Sequence, residues 1–304
     1  MKHEIVGIGA CVLDTLITLP VYPQEDTKLG ALSTRLSGGG PTATGLVAAA
    51  RLGADTCFLG NLSTDSAGDF LLRDFERHAV STEFITRYGG YRSFTSNIWL
   101  SQKDATRTCV FDKGSLPPLC LSEQQLDGVA RAQLLMVDGN ELSAACRAAA
   151  HARDCGVRVV YDCGGLYDGV EQLLALTDIM IPSEEFALAH TGAPDAMTAA
   201  QALLRRYQPE MVVVTCGGRG GVYLDKSIAG EYPVFKVSAV DTNGAGDVFH
   251  GAFAAGLLRG LGLRECCVFA SAVSALKCTG FGARESIPDL ETTLRFLKEN
   301  GYEL

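Results

Sequence analysis

The chain has 304 residues, of which 47% are hydrophobic and 20% charged, and its formal net charge is -9 with a pI near 5.1. This composition excludes disordered and fibrous classes, and the negative charge excludes general binding to nucleic acid or anionic membranes, which depends on Lys and Arg. The length allows one domain or two, and the 34 glycines exceed the number expected at the usual frequency of about 7%.

Short runs rich in Val, Ile and Leu alternate with longer segments of helical period, which is the pattern of a parallel sheet covered by helices on both faces. The predicted strands are 4–10, 56–60, 134–138, 157–162, 178–181, 211–215 and 234–240. The predicted helices are 42–52, 141–155, 196–207, 245–259 and 263–277. No clear linker or internal repeat divides the chain.

Two segments, about 15–36 and 88–111, break this alternation. In the second, alternate residues from Phe94 to Leu100 share one face, and a turn at Lys103–Asp104 precedes a returning run. We predict antiparallel strands that form a small inserted sheet, either a lid over a site or an oligomer surface. An ordinary edge hairpin is the alternative.

The 11 cysteines form no CxxC pair, and an odd number without a signal peptide is typical of reduced thiols in the cytosol. We expect buried thiols at Cys57, Cys109 and Cys216, and helix packing rather than metal binding at Cys266 and Cys267. No apolar stretch reaches the about 18 residues of a membrane span. These features predict a cytoplasmic protein without a membrane segment.

Polar residues follow three of the predicted strands, at the sheet edge where open parallel sheets bind ligands. They form the sequences Asp138-Gly139-Asn140, Asp162-Cys163-Gly164-Gly165 and Thr215-Cys216-Gly217-Gly218-Arg219-Gly220. Each also fits a simple turn, because Asp and Gly adopt turn conformations readily. The pattern therefore predicts either one shared crevice or separate turns.

The most informative stretch is DTNGAGD at 241–247, a glycine-rich turn that opens a helix of small residues. Free amides at a helix start attract anions, and glycines let a phosphate approach the backbone. Asp247 in the first turn is either a helix-capping carboxylate or a general base beside a phosphate. The chain has no GxxxxGK[ST], HExxH or GxSxG motif.

DTNGAGD resembles the carboxyl-terminal signature of the ribokinase-like (PfkB) carbohydrate kinases, and the resemblance extends over nearly the whole chain. The run from Ser37 to Thr44 is similar to the amino-terminal glycine signature of that family, and Thr215 to Gly220 matches its TxGxxG nucleotide loop. The resemblance implies a three-layer α/β/α sandwich, with one domain over residues 1–304 and the inserted sheet as its lid.

The resemblance also implies a role for each matching residue. Asp247 would be the base that deprotonates the acceptor hydroxyl, and the transferred phosphoryl group would be held by the amides of Gly244, Ala245 and Gly246. Sugar contacts would come from Asp14, Gly39, Gly40 and Thr44. The ATP site would involve Ser183, Thr215, Gly217, Gly220, Ala275 and Cys278.

The sequence departs from the family pattern at two places. Thr44 stands where the family usually has Asn, and Ser183 to Phe186 replaces the NxxE motif that organises water around magnesium. Glu185 is a candidate for that water shell, and Mg²⁺ should arrive with ATP. Asp241 and Asn243, with carbonyls near 277–282, form a candidate site for a monovalent cation such as K⁺, as in some relatives.

The GGGPxAT, DVFHGA and ALKCT segments are similar to the branch of this family that includes bacterial sulfofructose kinase. This similarity implies a fructose-like ketose as substrate. A sulfonate would need cationic or amide partners. The cationic candidates are Lys28, Arg35, Arg92, Arg107 and Lys113, although solvated strand residues are the alternative. Asn140 is uncharged and would fit a neutral sugar or a nucleoside.

The leading hypothesis is an ATP-dependent kinase that phosphorylates a primary hydroxyl of a small sugar. A nucleoside kinase on the same fold is the first alternative, and a non-catalytic sugar or nucleotide sensor, altered at 183–186, is the second. Exposed sheet edges invite covering, so we expect a homodimer formed through the lid strands.

Overall fold

The computed structural model describes residues 2–103 and 106–304, which form two separate sheets. The strands are β1 Ile5–Ile8, β2 Val12–Leu19, β3 Ser33–Gly39, β4 Thr56–Ser63, β5 Val80–Tyr88, β6 Thr95–Ser101, β7 Thr106–Asp112, β8 Leu134–Val137, β9 Arg158–Cys163, β10 Ile179–Pro182, β11 Met211–Thr215, β12 Gly221–Asp225 and β13 Ala229–Tyr232. The helices are α1 Pro41–Arg51, α2 Ser66–Arg77, α3 Glu123–Ala130, α4 Leu142–Asp154, α5 Val170–Leu174, α6 Glu184–Thr191, α7 Ala196–Tyr207, α8 Ala245–Leu258, α9 Leu263–Lys277 and α10 Leu290–Glu299.

The larger sheet has nine strands in the order β13-β12-β11-β10-β9-β8-β1-β4-β5. The seven strands β11-β10-β9-β8-β1-β4-β5 run parallel to one another. Strands β12 and β13 are antiparallel additions at the β11 edge. The parallel strands carry continuous apolar runs because helices cover both faces: α1, α2, α8, α9 and α10 on one side, and α3 to α7 on the other. The predicted three-layer sandwich is confirmed.

The smaller sheet, which we call the lid, has the order β3-β2-β6-β7. It arises from two insertions, one between β1 and α1 and one between β5 and α3, so the predicted lid is confirmed. Each insertion forms an antiparallel pair, but β2 and β6 join in parallel, so the prediction of purely antiparallel strands is wrong at the lid centre. The predicted turn at Lys103–Asp104 lies partly outside the described residues.

One predicted strand is wrong, because residues 234–240 are irregular. β13 ends at Tyr232, and the following Pro233 has no amide proton to continue the ladder. The amides of Val240 and Asp241 instead donate to the carbonyl of Cys278, at 2.7 and 3.2 Å. This segment therefore contacts the chain that follows α9, rather than a neighbouring strand.

The cysteines are free thiols, and Cys57, Cys266 and Cys267 are buried as predicted. Cys109, expected to be buried, is exposed because every residue of β7 faces solvent. Cys216 is only half-buried. None of the helices in the described part of the chain is long and apolar enough to cross a bilayer.

Helices α1 and α8 cross at two glycines. A Cβ atom at Gly251 of α8 would overlap the backbone carbonyl of Gly45 in α1. A Cβ atom at Gly45 would lie 3.3 Å from the carbonyl oxygen of Asp247 and 2.9 Å from the Met136 side chain. The absence of side chains at the crossing thus brings the first turns of α1 and α8 together.

We predict that Gly251→Ala destabilises the protein. Overpacking against backbone costs about 1–3 kcal/mol, whereas the better helix propensity of Ala returns at most about 1 kcal/mol. Chemical denaturation should show a net loss of stability. Gly256→Ala, in the same helix, is the matched control, because the nearest atom to its Cβ would be Cys266 Sγ at 3.1 Å, which is not an overlap with backbone. Equal effects of the two substitutions would contradict the proposed close crossing.

Candidate active site

Four carboxylates converge where the strands of the large sheet end. Asp138 follows β8, Asp162 lies near the end of β9, and Asp247 occupies the first turn of α8. Asp14 reaches the same region from the lid, and its pKa is affected by the charge of Asp247. Burial raises the pKa of Asp162, and the charges of Asp247 and Asp138 raise it further, so these carboxylates lie near one another, and the shared crevice stays a prediction.

Asp138 holds the ends of three elements together. It is buried, and its Oδ2 accepts hydrogen bonds from the amides of Ala10 at 3.0 Å and Thr42 at 3.1 Å. Its Oδ1 accepts from the amide and the side chain of Asn140, at 2.9 and 3.1 Å. Asp138 thus fixes the start of α1 against β1, and it also orients the predicted substrate residue Asn140.

Asp14 is a buried carboxylate at the junction of the lid and the large sheet. It is 6% exposed, and its Oδ1 accepts a hydrogen bond of 2.6 Å from Ser96 Oγ on the neighbouring lid strand. Burial raises the pKa of Asp14 to about 6, and the Ser96 hydrogen bond opposes that shift. A side chain at Gly39 would overlap Oδ2 of Asp14, so these two predicted sugar residues are adjacent.

Arg284 is a site residue that the sequence analysis missed. It is 1% exposed, and its Nη1 donates to Asp74 Oδ2 at 2.7 Å. Its Nη2 donates to the carbonyl of Gly39 at 2.7 Å, and its Nε donates to Thr44 Oγ1 at 3.3 Å. One guanidinium therefore links α2, the end of β3 and α1.

This network changes the interpretation of Thr44 and of the glycine run. Thr44 is fully buried with its hydroxyl on Arg284, so in this structure it supports the sugar region from behind. A Cβ atom at Gly38 would overlap Arg284 and Asp74, and one at Gly40, where φ is +96°, would overlap the carbonyl of Ala10. These glycines are required by contacts within the protein itself.

The turn 241–247, which we call the glycine turn, ends in a set of open amides. Gly244 precedes α8 with φ of 74°, a left-handed conformation that favours glycine. The Ala245 amide donates to the carbonyl of Thr242 at 3.2 Å, which weakens its prediction as a phosphate donor. Within residues 2–103 and 106–304, no acceptor pairs with the amides of Gly244, Gly246 and Asp247.

Asp247 lies beside these amides, half-buried in the first turn of α8. Burial raises the pKa of Asp247, and the positive charge of His250 opposes that shift. Among the described residues, none donates a hydrogen bond to the Asp247 carboxylate. A carboxylate with unused lone pairs, next to unpaired amides, is free to accept a proton from a ligand.

His250, one turn further along α8, is buried, and both of its ring nitrogens lie within hydrogen-bond distance of oxygen atoms. Its Nε2 faces the carbonyl of Ile181 at 2.9 Å, and its Nδ1 faces the carbonyl of Gly246 at 2.6 Å and Asp162 Oδ2 at 3.3 Å. His250 thus joins α8 to β9 through Asp162 and to β10 through the Ile181 carbonyl.

A cavity of about 570 Å³ opens on the other side of the glycine turn. It contains five of the predicted ATP-site residues, namely Thr215, Gly217, Gly220, Ala275 and Cys278. Aromatic and apolar side chains complete its wall, including Tyr232, Phe235 and Phe249. Ser183 lies next to Thr215 and caps α6 by accepting from the Phe186 amide at 3.2 Å, but it is not part of the cavity wall.

A second cavity, of about 600 Å³, lies between the lid and the start of the glycine turn. Arg107 of β7 lines it opposite Asp241 and Thr242, and the charge of Arg107 also lowers the pKa of Asp247. Lys28 is exposed in the segment between β2 and β3, and it does not line this cavity. The structure thus brings Arg107 to the site, but not Lys28.

The predicted metal residues do not form a preassembled metal site. Glu184 pairs with Arg219, and Glu185 is exposed in the first turn of α6. Across the described part of the chain, no cluster of three or more His, Cys, Asp or Glu side chains could hold a metal ion. Asp241 accepts amide hydrogen bonds from Asn243 at 2.8 Å and Gly282 at 3.0 Å.

An unpaired carboxylate and open helix-start amides, flanked by two cavities, define a phosphotransferase-type site on a three-layer α/β/α fold. The pfkB family carbohydrate kinase model matches residues 2–290, and the chain belongs to this family. It is therefore a carbohydrate kinase, as predicted.

Similar proteins act on different sugars. Ribokinase of Haemophilus influenzae is 28% identical over 305 residues, which cover 98% of this chain and 99% of the relative. Ketohexokinase of Mus musculus is 23% identical over 288 residues, with coverage of 91% and 96%. The structure of Arabidopsis thaliana ribokinase complexed with ribose and ATP has a TM-score of 0.85 at 25% identity, and covers 98% of this chain and 99% of that one. The ribokinase-like fold is confirmed, and these relatives give no support to the sulfofructose kinase branch.

We predict that Arg284→Met destabilises the protein by about 3 kcal/mol or more, because it leaves the Asp74 carboxylate and the Gly39 carbonyl without their buried donor. Arg77→Met is the matched control. Arg77 pairs with the same carboxylate at 2.7 Å but is 58% exposed, so its loss should cost less than about 1 kcal/mol. Urea denaturation of both variants tests the difference, and similar losses would disprove the special role of Arg284.

Proposed function

We propose that the protein transfers the terminal phosphoryl group of ATP to a primary hydroxyl of a small sugar, in particular a fructose-like ketose. Asp247 is the general base, and the amides of Gly244 and Gly246 form the anion hole, while a role for the Ala245 amide, which donates to the Thr242 carbonyl, stays a prediction. The observation that carries this proposal is the Asp247 carboxylate, which has unused lone pairs directly beside unpaired amides at the start of α8.

The cavity of about 570 Å³ suits ATP, because apolar and aromatic side chains would enclose the base while the glycine turn faces the phosphates. The Arabidopsis ribokinase, which this chain resembles over nearly its full length, was solved with ribose and ATP. Mg²⁺ is expected to arrive bound to the triphosphate, to keep several waters and to neutralise phosphate charge. Glu185 as part of that water shell stays a prediction.

On the sugar side, the Asp14 carboxylate is the strongest candidate for contacts with hydroxyl groups. It is buried, it is fixed by Ser96, and its Oδ2 lies against the backbone of Gly39. Asn140, oriented by Asp138, offers a neutral amide. Arg107 would meet an anionic substituent such as a sulfonate, because it lines the cavity under the lid.

Magnitudes favour a catalytic role for Asp247 over simple helix capping. General-base catalysis contributes about 10²- to 10⁴-fold in rate, or about 3–5 kcal/mol, whereas an acidic residue at a helix start contributes about 0.3–1 kcal/mol. The transferred phosphoryl group develops charge that the open amides stabilise, and the proton of the attacking hydroxyl passes to the Asp247 carboxylate.

Asp247→Asn should therefore lower turnover by about 10²-fold or more, with unfolding stability within about 1 kcal/mol of the parent. ADP release by the parent protein, measured across sugars, sugar acids, sulfonated ketoses and nucleosides, identifies the acceptor. The same assay on Asp247→Asn measures its loss of turnover. Asp69→Asn, in the first turn of α2, is the matched control and should retain parental turnover.

The same panel separates the alternatives. A loss below about tenfold for Asp247→Asn would remove the base assignment. Preferred release of ADP with nucleosides would establish the nucleoside kinase instead. Ligand binding by calorimetry without ADP release from any acceptor would establish the sensor.

The pKa of Asp14 predicts how sugar binding depends on pH. The ionised carboxylate accepts sugar hydroxyls, and the pKa of about 6 means that protonation sets in as the pH falls through 6. The KM for the sugar should then rise below pH 6, while the KM for ATP stays level. Ser96→Ala removes a hydrogen bond that lowers this pKa, so the midpoint should move to higher pH. An unchanged midpoint would argue against Asp14.

The homodimer formed through the lid stays a prediction. Its support is the set of exposed apolar side chains on the lid and its connecting segment: Leu29, Leu32, Leu36, Val110 and Phe111. A sheet with uncovered apolar residues and free edges favours association.

A further inference from the structure

Lys277 is a fully buried cation that the proposed mechanism does not use. It is the last residue of α9, and its side chain is 0% exposed. Its Nζ donates a hydrogen bond of 2.9 Å to the backbone carbonyl of Asp241. Burial lowers the pKa of Lys277, and the Asp241 carboxylate opposes that shift. A buried charge is stable only where nearby polar groups replace the hydration that it loses on burial.

The Lys277 ammonium lies where the start of the glycine turn is hydrogen-bonded to the segment that follows α9. The amides of Val240 and Asp241 donate to the Cys278 carbonyl, and the Gly282 amide donates to Asp241 Oδ2 at 3.0 Å. Ser286 Oγ donates to the Lys277 carbonyl at 2.9 Å. Asp241 is the first residue of the glycine turn, so these bonds decide where that turn sits.

The same place was predicted to hold a monovalent cation, and the residues present do not fit one. Such an ion needs several oxygen ligands with free lone pairs facing it. One lone pair of each Asp241 carboxylate oxygen is already used by a backbone amide, and its carbonyl accepts from Lys277, which reduces the lone pairs left for an ion. A metal ion on that carbonyl would also face the ammonium, a like charge at short range in a buried setting.

We propose that the Lys277 ammonium is a built-in replacement for the monovalent cation. It holds the Asp241 carbonyl and so sets the position of the glycine turn, with the amides of Gly244 and Gly246 and the carboxylate of Asp247. Lys277 is thus a positioning residue, and the kinase needs no added K⁺. The effect on turnover rests on the proposed function, whereas the effect of cations on stability does not.

The experiment compares the parent protein, Lys277→Met and Lys277→Ala in KCl, NaCl and tetramethylammonium chloride at equal ionic strength. Met fills the space without charge, while Ala opens room for an ion. Lys298→Ala is the matched control, because Lys298 lies in the last turn of α10 but is exposed.

The parent and Lys298→Ala should show the same ADP release in all three salts. Lys277→Met should lose at least about tenfold in kcat in every salt, because a displaced anion hole no longer meets the transferred group. Lys277→Ala should lose at least as much in tetramethylammonium and regain at least about tenfold in KCl. The midpoint of thermal unfolding of Lys277→Ala should rise with KCl, while that of the parent should not.

Two results would overturn the proposal: activation or stabilisation of the parent by K⁺ over tetramethylammonium, or parental kcat in both Lys277 variants. A thermal unfolding midpoint of Lys277→Ala that does not rise with KCl would also overturn the proposal. If the parent releases no ADP with any acceptor, the proposed function fails, yet the unfolding midpoints in the three salts still decide the role of Lys277.

Discussion

Helices α1 and α8 cross at Gly45 and Gly251, and this contact sets the distance between the two halves of the active site. The amino end of α1 follows the lid strand that carries Gly39, which packs on Asp14. The amino end of α8 carries the open amides and Asp247. Side chains at the crossing would separate the helix starts, and with them the proposed sugar-binding carboxylate and the proposed base.

Three buried basic side chains hold the backbone around the site. Arg284 binds the carbonyl of Gly39, His250 binds those of Gly246 and Ile181, and Lys277 binds that of Asp241. Each of the three holds a turn of the site through a backbone oxygen, and each also lies near a carboxylate: Asp74, Asp162 and Asp241 respectively. In this acidic chain, a few buried basic side chains thus position the backbone whose amides are proposed to bind phosphate.

Much of the fold could be predicted from the sequence, because buried parallel strands are continuously apolar and their connecting helices have clear periods. β11, α7 and α9 have the predicted bounds. Strand pairing in the lid could not be predicted, since β2 and β6 are far apart in sequence and nothing local specifies their parallel register. The segment 234–240 has strand composition, but Pro233 and the bonds to Cys278 keep it out of the sheet.

The glycine turn and the nucleotide loop were visible in the sequence because consecutive residues form them. Arg284 was not, since its partners Thr44 and Asp74 precede it by 240 and 210 residues. His250 and Lys277 each lie in a mostly buried, apolar stretch of helix, and one basic residue in such a stretch matches no sequence motif. A basic residue inside a run of buried helix positions is the one signal that could have pointed to them.

The central claim is that Asp247 and the glycine turn face the reacting hydroxyl. The most direct measurement is a crystal structure with a non-hydrolysable ATP analogue and the acceptor sugar. We expect a primary hydroxyl about 2.6–3.2 Å from the Asp247 carboxylate and the terminal phosphate on the amides that begin α8. A sugar whose hydroxyl nearest the phosphate lies out of reach of Asp247, or phosphates bound away from the glycine turn, would contradict the account.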